Sequence, residues 1–196
     1  MIELASVNVW QEGETMDEIE TERLRLRRFM PADLDAVRRI YGDSEVMRYM
    51  WDGRARTEEQ IRDALAFLMD SWEKSGFGMW AVVQKERDEV IGRCGIFSLD
   101  GTPEAEIGYI LARAYWGRGY ATEAASASLR YGFEQLGLER IVAVTRPDHL
   151  VSQQVLRKLG MVFERNAYYY GAEQVCYAAS RDEYRPAGGP YRVYAV

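Results

Sequence analysis

The chain has 196 residues, 47% hydrophobic and 29% charged, with 31 Asp+Glu against 25 Lys+Arg and a formal charge of −6. That composition suits one folded domain with tails, rules out a disordered chain, and argues against a nucleic-acid binder that works by releasing phosphate counterions. A single histidine and two widely separated cysteines, Cys94 and Cys176, argue against a zinc cluster or a disulfide scaffold, so no metal and two ordinary buried thiols are expected.

No stretch approaches the ~20 apolar residues that cross a bilayer. The first basic residue is Arg23, so the opening lacks the positive start of a secretory signal. A cytoplasmic protein without membrane contact is expected. Residues 1–18, rich in Asp and Glu, read as an extension outside the core.

From Thr21 the pattern becomes regular. Leu24 and Leu26 alternate with Arg23, Arg25 and Arg27, which predicts a half-buried strand with a basic outer face. Pro31 then stands at a first helical position, followed by Leu34, Val37 and Tyr41 at helical spacing. Thr57-Glu58-Glu59-Gln60 is a capping box opening a second helix with the stripe Ile61, Leu65, Leu68 and Trp72, closed by Gly76. Met79 to Gln84 and Val90 to Phe97 read as a hairpin, and Glu106 to Ala112 as a third strand. A glycine turn at Trp116 to Gly119 opens a helix with the stripe Ala121, Ala125, Leu129, Phe133 and Leu136, stopped at Gly137. Ile141 to Thr145 is a strand, Ser152 to Leu159 a helix, and Tyr168–Tyr170 with Val175–Ala179 a last hairpin whose alternation puts Tyr168 and Tyr170 on one face. The order is that of a layered α/β (α+β) domain over 19–184. In the tail, 185–196, Tyr191, Val193 and Ala195 alternate as an extra strand that would lie beside Ile2, Leu4 and Val7.

A strand running into Gly117-Arg118-Gly119 and then a helix presents free backbone N–H groups at a positive helix end, a seat for an anion such as phosphate. The dinucleotide fingerprint would need glycine where Thr122 stands, and no P-loop spelling is present, so both nucleotide readings fail on residues. A tight connection that binds nothing remains open on the turn alone.

Four segments in order bear on this choice: ETERLRLRRF at Glu20–Phe29, DSEVMRYM at Asp43–Met50, EIGYIL with WGRGYATEA, and VSQQVLRKLGM at Val151–Met161. Together the chain resembles the GNAT superfamily of acyl-CoA-dependent N-acyltransferases, in its RimJ/RimL-like branch, from Ile19 to about Tyr184. The resemblance implies a mixed, mostly antiparallel sheet splayed at the middle with helices on both faces, and acetyl-CoA as cosubstrate. In the family pattern Q/RxxGxG/A, Trp116, Gly119 and Ala121 hold the three defined positions, so the amides of Gly117, Arg118, Gly119, Tyr120, Ala121 and Thr122 would grip the pyrophosphate, with help from the Arg113 and Arg118 side chains. Trp116 departs from the usual Gln or Arg. The strand Glu106–Ala112 would carry a bulge and part from Ile141–Thr145, leaving the backbone of Ile110, Leu111 and Ala112 to pair with the pantetheine arm.

Acyl transfer needs a neutral amine: at pH 7 that costs a lysine about 4.6 kcal/mol but an α-amine only about 1.4 kcal/mol. The resemblance makes Glu106 the base, against the alternative that it only binds the ammonium. The family's acid, a tyrosine, falls on Leu156, so Ser152 is the substitute that would hold or protonate the sulfur. His149 stands where the family has asparagine and would bond the pantetheine. The implied function is acetyl transfer to a primary amine, a protein N-terminus or a small molecule, in a ternary complex formed by a monomer or homodimer. A catalytically idle acyl-CoA sensor and a nucleotide binder are the other readings.

Overall fold

The computed structural model describes residues 17–186 and 188–195. The chain opens with β1 (Asp17–Glu20) and β2 (Leu24–Arg27), followed by a 3-10 turn at Pro31–Asp33, α1 (Leu34–Tyr41), the short α2 (Ser44–Met47) and α3 (Glu58–Ser75). Next come β3 (Met79–Gln84), β4 (Glu89–Ser98), β5 (Ala105–Leu111), a 3-10 turn at Arg113–Tyr115 and α4 (Tyr120–Glu134). The chain ends with β6 (Arg140–Thr145), α5 (Leu150–Lys158), β7 (Val162–Tyr169), β8 (Ala172–Ser180) and β9 (Arg192–Ala195).

Local chemistry explains most boundaries. Thr57 Oγ1 accepts from the Gln60 N–H at 3.3 Å while Gln60 Oε1 accepts from the Thr57 N–H at 3.0 Å, the reciprocal box that starts α3. Gly76, at φ 70°, ends it. Pro31 begins the 3-10 turn and α1 follows from Leu34. Helix α2 escaped the periodicity reading because it is four residues long; Asp43 caps it by accepting the Glu45 N–H at 2.9 Å. The last hairpin starts at Val162, earlier than its tyrosine run suggested.

The strands form one sheet in the order β7-β8-β6-β5-β4-β3-β2-β1-β9. Helices α1 and α3 cover one face through Val37, Ile40, Leu65 and Leu68 against Ala81, Val83 and Ile110; α4 and α5 cover the other through Leu129, Phe133 and Leu156 against Ile96, Ile107 and Ile141. The arginine side of β2 is not an open basic face. Arg27 pairs with the buried Asp33 at 2.8 Å, because a largely buried guanidinium needs a carboxylate.

Two expectations meet the structure here. The tail strand exists, and β9 lies antiparallel on β1, with Glu18 opposite Tyr194 and Ile19 opposite Val193. Ile2, Leu4 and Val7 lie outside the described residues, and the 18/19 boundary falls within β1, whose Ile19 is fully buried. The second concerns β5, which carries no bulge against β4: the ladder runs one to one from Ser98↔Ala105 to Gly92↔Leu111. The split arises on its other side. β5 and β6 run parallel and share the single register pair Glu106↔Val142, after which β6 continues with β8 alone, so a wedge opens between β5 and β6.

Candidate active site

The turn before α4 has the expected geometry. Gly117 and Gly119 adopt φ of 71° and 83°, which an L side chain resists, and Gly119 is the N-cap residue without any side-chain cap. The first intrahelical bond reaches Glu123, whose N–H donates to Gly119 O at 3.0 Å, so the N–H groups of Tyr120, Ala121 and Thr122 have no partner within the helix. A row of uncapped donors at the positive end of a 15-residue helix suits a diphosphate. Trp116 puts its indole elsewhere: Nε1–H donates to Leu111 O at 2.8 Å and pins the turn to the end of β5. Arg113 and Arg118 are exposed on the loop, Arg118 lying 5.8 Å from the Tyr115 ring centroid.

Arg23 organises this turn, which the strand reading of β2 did not foresee. Its Nη1 donates to Arg118 O at 2.9 Å, its Nε to Glu123 Oε2 at 2.7 Å, and its guanidinium lies 4.4 Å from the Tyr120 ring centroid. Glu123 would otherwise repel an anion from the first helical turn; Arg23 and the Thr21 hydroxyl, 2.6 Å from Oε1, neutralise it. From Gly119 a cavity of about 390 Å³ runs along Thr122, Ser126 and Arg130 of α4 to Lys158 and Tyr191.

Along the wedge, strand alternation decides which backbone groups are available. The Ala112 N–H donates to Ile91 O at 2.8 Å, so Ala112, and with it Ile110, turns its backbone toward β4. Without a bulge, only Leu111 of the three expected residues turns toward the wedge, together with Tyr109, and the Leu111 carbonyl is taken by Trp116. Ile110 and Ala112, expected to pair with a pantetheine arm, thus turn their backbone to β4, and it is the backbone of Leu111 and Tyr109 that faces the wedge.

Glu106 lies where the two strands part, 4% exposed. Burial pushes its carboxyl up to about 7, while a hydrogen bond from the Tyr170 hydroxyl, a backbone bond from Val144 and the charge of Arg93 favour the ionised form. Two turns hold Tyr170 in place. Asp100-Gly101 and Tyr170-Gly171 each have positive φ at both residues, and they clasp each other: the Tyr170 N–H donates to Asp100 Oδ2 at 2.7 Å and the Asp100 N–H to Tyr170 Oη at 3.0 Å. Tyr170 therefore leaves the strand alternation at the turn, and the expectation that it shares a face with Tyr168 fails; Tyr168 is 70% exposed.

Ser152, expected to hold or protonate the sulfur, lies on the other side of the sheet from Glu106. Tyr109 stands opposite Cys94, whose Sγ meets Ser128 of α4, so the Tyr109 side chain faces α4 and α5. There Tyr109 Oη lies 3.0 Å from Ser152 Oγ. Sequence reasoning missed Tyr109, although its place three residues after Glu106 fixes it on the opposite face. Burial raises its phenol well above the usual range, so it stays protonated. Leu156 is buried in the core and offers no proton. His149 ends at the mouth of the wedge, stacked on Tyr49 with centroids 3.9 Å apart, and Nδ1 is 3.3 Å from Thr145 Oγ1. Burial lowers its pKa, which keeps the ring neutral at pH 7.

Cys94 is an inert thiol, pushed up to about 12 by burial. Among the described residues no cluster of His, Cys, Asp or Glu is placed to hold a metal ion, and no helix is long and apolar enough to cross a membrane.

Comparison with known proteins gives the same outline. The model of the acetyltransferase (GNAT) domain matches residues 23–162. A Bacillus licheniformis protein, Uncharacterized N-acetyltransferase p20, is 37% identical over 145 residues, 74% of this chain and 82% of that one. A GNAT-family acetyltransferase from Bacillus anthracis superimposes with TM-score 0.73 at 30% identity, over 85% of this chain and 99% of that one. RimJ of Mycobacterium smegmatis, solved in complex with CoA-disulfide, shares the fold at TM-score 0.72 and 22% identity, over 85% of this chain and 88% of that one.

Proposed function

Because the chain belongs to the GNAT family of acetyltransferases, we propose that it moves an acetyl group from acetyl-CoA to a primary amine, with the donor seated at the Gly119 turn and the acceptor at Glu106. The observation that carries this is the uncapped row of N–H groups at Tyr120, Ala121 and Thr122 at the head of α4, beside a wedge whose far end holds Glu106. The diphosphate would be held by those amides and by Arg118, and the outer part of the coenzyme by the groove toward Arg130 and Lys158.

The acceptor amine arrives as an ammonium and must lose a proton before it attacks. Glu106 is suited to take it: a carboxyl with a pKa of about 7 is substantially ionised near neutral pH yet basic enough to hold a proton. Tyr170 donates to Oε2 and the Val144 backbone also bonds the carboxyl, so the amine, or a water between them, would take a remaining lone pair. As the new C–N bond forms and the C–S bond breaks, the sulfur becomes anionic on the side of Tyr109 and Ser152, whose hydroxyls can donate to it. A backbone N–H of the wedge, that of Leu111 or Tyr109, would face the carbonyl oxygen; losing such a donor costs about 3 kcal/mol in other acyl-transfer sites. A protein N-terminus or a small amine fits this chemistry, with no metal, nucleic acid or membrane partner, in a cytoplasmic enzyme acting as a monomer or homodimer.

The test is thiol release from acetyl-CoA over a panel of amines, with mass confirmation of N-acetylation. Release with at least one amine, lost in Glu106→Gln, supports the proposal. Tight acetyl-CoA binding with no release for any amine would mean an acyl-CoA sensor instead.

A further inference from the structure

On the same face as Glu106 lies an arginine that the transfer chemistry does not use. Arg93, on β4, stands opposite Ala81 and Ile110, which belong to the core under α1 and α3. It is 8% exposed, and its buried Nε has no acceptor. Other arginines on the strands make ion pairs, Arg25 with Asp88, Arg27 with Asp33, Arg140 with Glu164 and Arg165 with Glu104, as does Arg23, just before β2, with Glu123; Arg25, whose Nε is likewise without an acceptor, keeps its pair through Nη2. The Arg93 side chain has no hydrogen bond or ion pair among the described residues. A buried cation left without an acceptor is costly, and it is retained where something else supplies the anion.

Its position says what that anion is attached to. Arg93 and Glu106 are separated along the ladder by the facing pair Gly95↔Gly108, and Glu106 stands opposite Phe97. Between the two charged groups the glycine pair adds no side chain, but its neighbours close in: an added Cβ on Gly108 would come within 2.8 Å of the Phe97 ring and 3.2 Å of Met79 Cε, and one on Gly95 would collide with Gly78 O. The floor from the carboxylate to the guanidinium is thus narrow and bordered by Phe97 and Met79. The charge of Arg93 reaches Glu106, yet the two are not bonded. A molecule lying across this floor meets a base for its amine and, a few bonds away, a donor fork for a carboxylate.

We propose that Arg93 binds the carboxylate of the acceptor, so that the preferred substrates are small amino carboxylates acetylated on nitrogen. This rests on the acetyltransferase reading above and gives its acceptor class. Arg93 does not touch the reacting atoms; it sets specificity.

The experiment compares kcat/KM for a set of free amino acids with that for their methyl esters and for the corresponding decarboxylated amines, in wild type, Arg93→Met and Arg93→Lys. Wild type should favour the acids about 10- to 100-fold, the worth of a charge-assisted pair. The ester nitrogen is the less basic and so the more available, which biases the comparison against the proposal. Arg93→Met should erase the preference through a raised KM for the acids, and Arg93→Lys should keep part of it. Turnover that favours esters or simple amines in wild type overturns the assignment of Arg93 while leaving the acetyltransferase reading intact. No turnover with any amine overturns both. If Arg93→Met fails to fold, the wild-type ratio and Arg93→Lys decide: a ratio near one, or one that Arg93→Lys leaves unchanged, contradicts the proposal.

Discussion

Glu106 holds its proton more tightly in the folded chain than a free carboxyl, and this links activity to stability. The folded pKa of about 7 lies above the 4.5 of an ordinary glutamate, so folding is favoured in full below 4.5 and that contribution is lost as pH rises through 7. Replacing Glu106 by Gln should therefore stabilise the protein at pH 8, by up to roughly 3 kcal/mol given about 1.4 kcal/mol for each pH unit between the two values, and leave stability at pH 4 unchanged; melting at pH 4 and pH 8 checks this. The same substitution should cost about 100- to 1,000-fold in kcat/KM, the scale of a lost general base. In wild type kcat/KM should fall below pH 7 as Glu106 is protonated. Tyr170→Phe removes a bond to the ionised form, so that acidic limb should move to higher pH. Glu106 was legible through the resemblance on EIGYIL, whereas Tyr170 was not: alternation assigns it to a strand, and only the following Gly171 hints at the positive-φ turn it occupies. Arg93 reads in sequence as one polar residue in an apolar strand, and its lack of a partner is visible only in three dimensions.

Among the elements, the turn into α4 is where spelling and structure agree most closely, because two glycines with positive φ and an uncapped helix start are set by local chemistry. Gly119→Ala should weaken CoA binding about 10-fold, since a Cβ at φ 83° is strained by about 1–2 kcal/mol and comes 3.4 Å from Arg23 Nη2. Calorimetry with CoA measures it. Arg23→Ala should act in the same direction by freeing the charge of Glu123. The wedge was expected with a bulge and is built without one. Pairing between β5 and β6 depends on contacts far apart in sequence, and no local pattern records that it stops after Glu106↔Val142. Likewise Tyr109 and Ser152 meet across 43 positions, so neither periodicity nor spacing could join them.

For the whole molecule, the layered order of strands and helices was legible because each amphipathic segment carries its own period, but the order of strands in the sheet was not. The tail shows why. Its alternation was visible, while its partner is β1, a four-residue strand hidden in an acidic stretch. Deleting residues 191–196 would uncover β1 and remove the Tyr191 ring from Arg130, 4.2 Å away. A loss of about 1–2 kcal/mol, or roughly 2–8 °C in melting temperature, is expected; unchanged melting would show that β9 adds nothing to the fold. The charge distribution follows the same logic: an acidic molecule that takes an anionic coenzyme must make its seat locally positive, through the head of α4 with Arg113 and Arg118. The most direct test is a crystal structure with CoA bound. The diphosphate oxygens should accept from the N–H groups of Tyr120, Ala121 and Thr122, with the sulfur between β5 and β6 on the side of Tyr109 and Ser152. A coenzyme bound elsewhere, with the head of α4 left open to water, would contradict the account.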